Sequence, residues 1–240
     1  AMLSGILAVA SLVASESATL PFAQPWPGAR VPLLVSNADA SADVWSAVAE
    51  LERLTPIRFV NRTSETDFVE VVLGGGDVAH NPRWPYNTSD VIGFCPGRTA
   101  VHLEAGKGWL AMHELGHVLG LVHEHQRADR DQFVEVLWSR IRDPEPGYVD
   151  WVVLHSADSQ GLAYDPNSVM HYGKDWQGTG GSDTMRWLGA EGAASDCIHC
   201  KVGWSHLSDH DVAALRKLYA ATAASKSSSE SDMARRHLTV

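Results

Sequence analysis

The chain has 240 residues, 45% of them hydrophobic and 20% charged, enough for one domain with a substantial core or one domain of two lobes about a cleft. A formal charge of −10 with no basic cluster argues against a nucleic-acid-binding surface. Three cysteines, Cys95, Cys197 and Cys200, are too few for a disulfide-dense scaffold, and the odd count leaves at least one thiol without a partner inside the chain.

In chain order, Leu3–Ala14 is apolar and small and is followed by polar Ser15-Glu16-Ser17, the pattern of a secretory leader and its cleavage zone, although no basic segment precedes it. The run is shorter than the roughly 20 residues that span a bilayer. A buried N-terminal segment is the alternative reading. Residues 1–25 are expected to be leader, closing among Pro21, Pro25 and Pro27. Asn61-Arg62-Thr63 and Asn87-Thr88-Ser89 are glycosylation sequons, which fit secretion. Val31–Val35 reads as a strand. Ser41–Thr55 carries Val44, Val48, Leu51 and Leu54 at helical spacing, with Ser41 as N-cap and Pro56 as the stop. Ile57–Val60, Phe68–Leu73, Val91–Phe94 and Ala100–Leu103 read as strands, with loop from Asp77 to Asp90 and a helix starting near Lys107. Beyond Arg127 periodicity fades. Asp131–Ile141 is the best helix candidate before Ser208–Tyr219, whose serine cap, early acids and apolar Val212, Leu215 and Tyr219 signal a helix. Residues 221–240 are small, polar and Ser-rich and read as a disordered tail. The expected class is α+β: a twisted mixed sheet with two helices, then an irregular lobe with one terminal helix.

Between the two halves stands His113-Glu114-Leu115-Gly116-His117-Val118-Leu119-Gly120-Leu121-Val122-His123-Glu124. Residues four apart share a helix face, so His113 and His117 can aim their imidazoles at one metal ion. Glu114 beside the first ligand can reach a water on that metal rather than the metal itself. His123 cannot join them if the helix simply continues. Gly120 in the left-handed conformation would end the helix and turn His123 back under the metal. The pattern HExxHxxGxxH is that of metzincin zinc peptidases, and one zinc ion per chain is expected.

From about Trp26 to Tyr219 the chain resembles the astacin family of zinc metallopeptidases. The resemblance rests on HELGHVLGLVHEHQRADRD, on Ser168-Val169-Met170-His171-Tyr172, which is similar to the family's Met-turn, and on Trp26-Pro27-Gly28, Ile57-Arg58-Phe59 and Leu207-Ser208-Asp209-His210-Asp211. It implies a two-lobed metzincin fold over residues 26–220, with His113, His117 and His123 as zinc ligands and Glu114 as general base and acid. It implies Met170 as an apolar floor beneath the metal. Tyr172 would be a further ligand that swings away to stabilise the oxyanion. Glu124 would be buried and engage the amino terminus of the processed enzyme. The implied activity is endoproteolysis: a water on zinc, activated by Glu114, attacks the peptide bond of a protein or peptide substrate. The leader-like run and the sequons point to a secreted location, with no membrane span; the oligomeric state stays open.

Three departures stand out. Cys95 occupies one family cysteine position, but Gly106-Lys107-Gly108 offers no partner, and Pro56 and Ala220 stand near the ends of the other pair. Cys197-Ile198-His199-Cys200 lies instead in an apparent insertion, Leu188–Val202; it reads as a local disulfide or a partner for Cys95, with a second metal site as the alternative. Family zymogens are held off by a pro-segment aspartate, whereas the first aspartate here is Asp39, inside the match. No accessory domain is expected after the tail. Val91, Ile92, Gly93 and Phe94 are expected to form the edge strand on which an extended substrate lies, and Arg186 is a possible counter-charge for an acidic substrate residue. A non-cleaving binder and a hydrolase of non-peptide amides or esters are the competing readings.

Overall fold

The computed structural model describes residues 17–19, 23–36, 41–73, 78–80, 92–103, 110–142, 151–154, 158–159, 161–189, 206–220 and 222. A short ladder pairs β1 (Ser17–Thr19) with β8 (Asp158–Ser159). The main sheet has five strands in the order β3 (Arg58–Asn61), β2 (Arg30–Val35), β4 (Phe68–Leu73), β6 (Arg98–Leu103) and β5 (Val78–His80). All pairings are parallel except that of β5, which runs antiparallel along the β6 edge.

Alternation builds this sheet. Val31 and Leu33 of β2, Val69 and Val71 of β4, and Val101 and Leu103 of β6 are buried at every second position, in registers that set Leu33 beside Val69 and Val71 beside Val101. Two helices cover them. Helix α1 (Ser41–Leu54) contributes Val44, Val48 and Leu51, and α2 (Ala111–Leu119) is buried along its whole length. Parallel strands joined by crossovers need such covering, so α2 lies inside the molecule rather than on it.

A second apolar cluster gathers Val134, Val136, Ile141, Trp151, Tyr164, Tyr172 and Met185. There β7 (Val134–Val136) pairs antiparallel with β9 (Met185–Trp187). Helix α3 (Asp209–Leu218) then returns to the first core with Ala214, Leu215 and the neighbouring Tyr219. Ser208 caps it, in a reciprocal box with Asp211. Among the described residues no helix is long and apolar enough to cross a membrane.

Several expectations are corrected. Asp131–Ile141 is not a helix: 3-10 turns at Arg130–Gln132 and Trp138–Arg140 flank β7, because Val134 and Val136 bury at a spacing of two. The segment expected to be loop contains β5, a strand of three residues, too short to show a pattern. Of Val91–Phe94, Val91 lies outside the described residues, and Ile92, Gly93 and Phe94 form no strand. Their amides are used elsewhere, Gly93 donating to the carbonyl of His117 at 2.8 Å and Phe94 to that of Gln24 at 2.6 Å. Gly93 has φ +80° and a Cβ there would sit 2.7 Å from the Gln24 oxygen, so neither backbone nor packing suits a strand residue. The helix expected near Lys107 has its first residue at Ala111, and Lys107 itself lies outside the described residues. So do Cys197 and Cys200 with their pairing, the apolar run Leu3–Ala14, and the tail from residue 223 on.

Candidate metal centre

Helix α2 carries His113 and His117 on one face, and Gly120 ends it. Gly120 has φ 113° and ψ 2°, and its N–H reaches the carbonyl of His117 at 2.9 Å while Leu121 N–H reaches that of Gly116 at 3.0 Å. This left-handed turn reverses the chain and delivers His123 to the other two rings. The Nε2 atom of His123 lies 3.1 Å from that of His117 and 3.3 Å from that of His113. A tetrahedral zinc with bonds of about 2.0–2.1 Å spaces its nitrogen donors about 3.3 Å apart. The donor set fits zinc.

The outward nitrogens are each anchored. His113 Nδ1 lies 2.7 Å from the carbonyl oxygen of Val169, His117 Nδ1 2.9 Å from that of Leu121, and His123 Nδ1 3.0 Å from Gln126 Oε1. With the proton on Nδ1 in each ring, all three Nε2 lone pairs face inward. Burial, then the neighbouring His117, pulls His113 down to about 3, against the Val169 hydrogen bond. Burial, then the rings of His117, His125 and His113, holds His123 well below the ordinary imidazole range, against Gln126. The rings of His113 and His123 are therefore neutral near neutral pH. Among the described residues these three form the one group of His, Cys, Asp and Glu side chains able to hold a metal ion.

Glu114 is buried on α2 directly after His113. Met170 is buried under the same helix: a Cβ on Gly116 would stand 2.6 Å from its sulfur, so Gly116 is what lets the Met-turn close against α2. Glu124 N–H donates to the Met170 carbonyl at 3.1 Å, which ties the turn to the third ligand. Tyr172 packs its ring 4.5 Å from that of His123 and stacks on His125 at 4.0 Å, with Trp151 and Trp176 around it. The structure therefore brings His113, His117 and His123 together, with the Tyr172 ring against His123 and Met170 against Gly116 of α2. It does not bring Ile92–Phe94 there as a strand. Arg186 is paired with Glu135 across β7 and β9.

Glu124 is buried, as expected, and already has partners: Arg127 Nη1 and Asp165 N–H both reach its Oε1 at 2.8 Å. Burial pushes this carboxyl up to about 8, with Arg127 and the Asp165 amide pulling it back. An acid–base pair three residues apart was a signal available in the sequence, and Arg127 was missed. Asp211 was missed as well. Its carboxylate accepts from Ser168 Oγ at 2.7 Å and from Val169 N–H at 2.9 Å, fastening α3 to the residue that anchors His113. No spacing rule points to that contact.

Three histidines able to hold a metal ion, a glutamate next in the chain to the first of them and a methionine turn against their helix define the class: a zinc site of the metzincin kind. The family model for Astacin, a peptidase family, matches residues 19–220. The chain belongs to the astacin family. It is 35% identical over 180 residues to an astacin-like metalloendopeptidase of Coturnix japonica, covering 73% of this chain and 39% of that protein. It is 33% identical over 133 residues to zinc metalloproteinase nas-5 of Caenorhabditis elegans, covering 53% of this chain and 34% of that protein. The chain thus spans well under half the length of these relatives. Among solved structures it is similar to High choriolytic enzyme 1, a hatching enzyme zinc-protease from Oryzias latipes, at 25% identity and a TM-score of 0.66, over 82% of this chain and 94% of that one. Among the described residues His113, His117 and His123 are the group able to hold the metal.

Proposed function

We propose that the chain is a secreted zinc endopeptidase whose catalytic domain covers residues 26–220 and acts on proteins or peptides in extended conformation. The convergence of three Nε2 lone pairs, with Glu114 next in the chain to the first, carries this reading. Zinc held by His113, His117 and His123 would supply a Lewis acid able to polarise the scissile carbonyl and to lower the pKa of water toward ~7. Glu114 takes the proton from that water as its oxygen adds to the carbonyl, and returns it to the leaving amine. Tyr172, whose ring packs against that of His123, would donate its hydroxyl to the oxyanion. With Ile92–Phe94 excluded as a strand, β5 is the sheet edge on which substrate lies: it pairs with β6 on one side, and no described strand pairs with the other.

A cavity of about 20 Å³, lined by Glu124, Asp165, Asp211 and Arg127 among others, is the place for a processed amino terminus. Its three acidic side chains against one guanidinium suit an added ammonium group. Secretion is supported by the leader-like Leu3–Ala14 and by the kinship with hatching enzymes.

The deciding experiment is cleavage of a denatured protein by wild type and by Glu114→Gln, each with its zinc content measured. The variant should keep its zinc and lose about 10²–10⁴ in rate. Full activity in a zinc-loaded Glu114→Gln would remove Glu114 from the chemistry. Absence of cleavage by zinc-loaded wild type, trimmed at its amino terminus, would overturn the peptidase reading.

A further inference from the structure

Two of the three ligand histidines are oriented by groups that no side-chain substitution can remove. His113 and His117 point Nδ1 at the backbone carbonyls of Val169 and Leu121. His123 differs. Its Nδ1 is 3.0 Å from a side-chain amide oxygen, Oε1 of Gln126.

Local geometry explains the contact. Glu124–Gln126 is a 3-10 turn, in which residues three apart eclipse one another, so Gln126 stands over His123. The turn is held at both ends: Gln126 N–H donates to the His123 carbonyl at 3.1 Å, and the Gln126 carbonyl accepts from Leu154 N–H at 2.7 Å. Gln126 is 7% exposed, so water does not compete freely for its amide.

The orientation of that amide matters chemically. With Oε1 toward the ring, the imidazole must carry its proton on Nδ1, which leaves Nε2 bare and facing the other two ligands. With the amide reversed, the –NH₂ would donate to Nδ1 and the ring proton would move to Nε2, where the metal belongs.

We infer that Gln126 is a positioning residue for the zinc site: its side-chain carbonyl selects the tautomer and ring plane of His123, and so sets how tightly the chain holds zinc. This rests on the zinc-site reading, not on proteolysis, because its readout is the metal alone. An acceptor in this shell commonly contributes about 10–100-fold in metal affinity. Gln126→Leu removes the acceptor at similar volume, whereas Gln126→Glu keeps an oxygen in the same place and makes it a stronger acceptor.

The test is competition for zinc between a chromogenic chelator and wild type, Gln126→Leu and Gln126→Glu, after wild type has been shown to bind one zinc. Thermal midpoints of the metal-free proteins serve as the control on folding. Gln126→Leu should bind zinc about 10–100-fold more weakly, and Gln126→Glu should match or exceed wild type. In NMR spectra of the zinc-loaded proteins, the hydrogen-bonded Nδ1 proton of His123 should be present in wild type and Gln126→Glu and lost in Gln126→Leu. Wild-type affinity in Gln126→Leu would overturn the inference. So would equal losses in both variants, since packing rather than the acceptor would then be what matters. Failure of wild type to bind zinc would instead strike at the site itself.

Discussion

In the sheet lobe, Val31, Leu33, Val69, Val71, Val101 and Leu103 lie against Val44 and Leu51, all buried, while charged pairs such as Arg30 with Glu65 remain outside. After His123 the arrangement inverts. Apart from α3, the described elements there are short ladders and 3-10 turns, and buried polar groups add to the fastening by the second apolar cluster. Arg127 holds Glu124, Arg130 holds the carbonyls of His125 and Trp151, and Asp211 holds Ser168 and Val169. Packing is non-directional and supplies a rigid platform. Hydrogen bonds fix atoms along lines, which is what oriented ligands require. The metal centre sits where one regime hands over to the other: α2 brings two ligands from the packed lobe, and the polar lobe supplies Met170, Tyr172 and the acceptor for His113.

If the contrast is right, the largest loss of stability should come from a cavity in the first lobe. Leu51→Ala, at a fully buried position, should cost about 2–5 kcal/mol in urea unfolding. A loss below about 1 kcal/mol would mean that packing there is slack. Asp211→Asn tests the second lobe. It disturbs bonds from Ser168, Val169 and Ser208, and should cost about 1–3 kcal/mol. Zinc affinity should fall with it, because Val169 anchors His113; loss of stability with unchanged affinity would sever the lobe from the site. Gly120→Ala acts at the junction. Its left-handed backbone should cost about 1–2 kcal/mol, and Leu218 must also give way to the new methyl, so the thermal midpoint should drop; an unchanged midpoint would show that the turn can relax.

The smallest effect belongs to a surface charge. The Thr63 backbone N–H, followed by its own amide and then Arg30, holds Glu65 down at about 2, against 4.5 ordinarily. A depressed folded-state value means that its contribution is complete above about 4.5 and fades as pH falls toward about 2. Thermal midpoints of wild type and Glu65→Gln should differ slightly near neutrality and converge at low pH. A gap independent of pH would assign Glu65 another role.

The same contrast explains what could be read beforehand. Phe68–Leu73 and the helix from Ser41 stood out because burial there follows a period, and His113, His117, Gly120 and His123 because a turn of known geometry fixes their spacing. Asp131–Ile141 misled because its few apolar residues satisfy a helical count as well as the strand they form. Asp211 acts through bonds to Ser168 and Val169, 43 and 42 residues away, and such bonds leave no periodic trace. Gly116 was passed over because its meaning lies in the sulfur of Met170, which comes from another part of the chain.

The last turn of α2 has a consequence for how the molecule is made. The Val118 carbonyl accepts the Trp26 indole N–H at 3.0 Å, the Leu119 carbonyl accepts the Tyr219 hydroxyl at 3.2 Å, and that hydroxyl also receives Trp26 N–H. Trp26 and Tyr219 are 193 residues apart, at either end of the matched region. During synthesis Tyr219 leaves the ribosome 100 residues behind Leu119, so the carbonyl it covers must be solvated by water until then. Helix α2 is thus closed from both directions along the chain, by Trp26 made before it and by Tyr219 made after it.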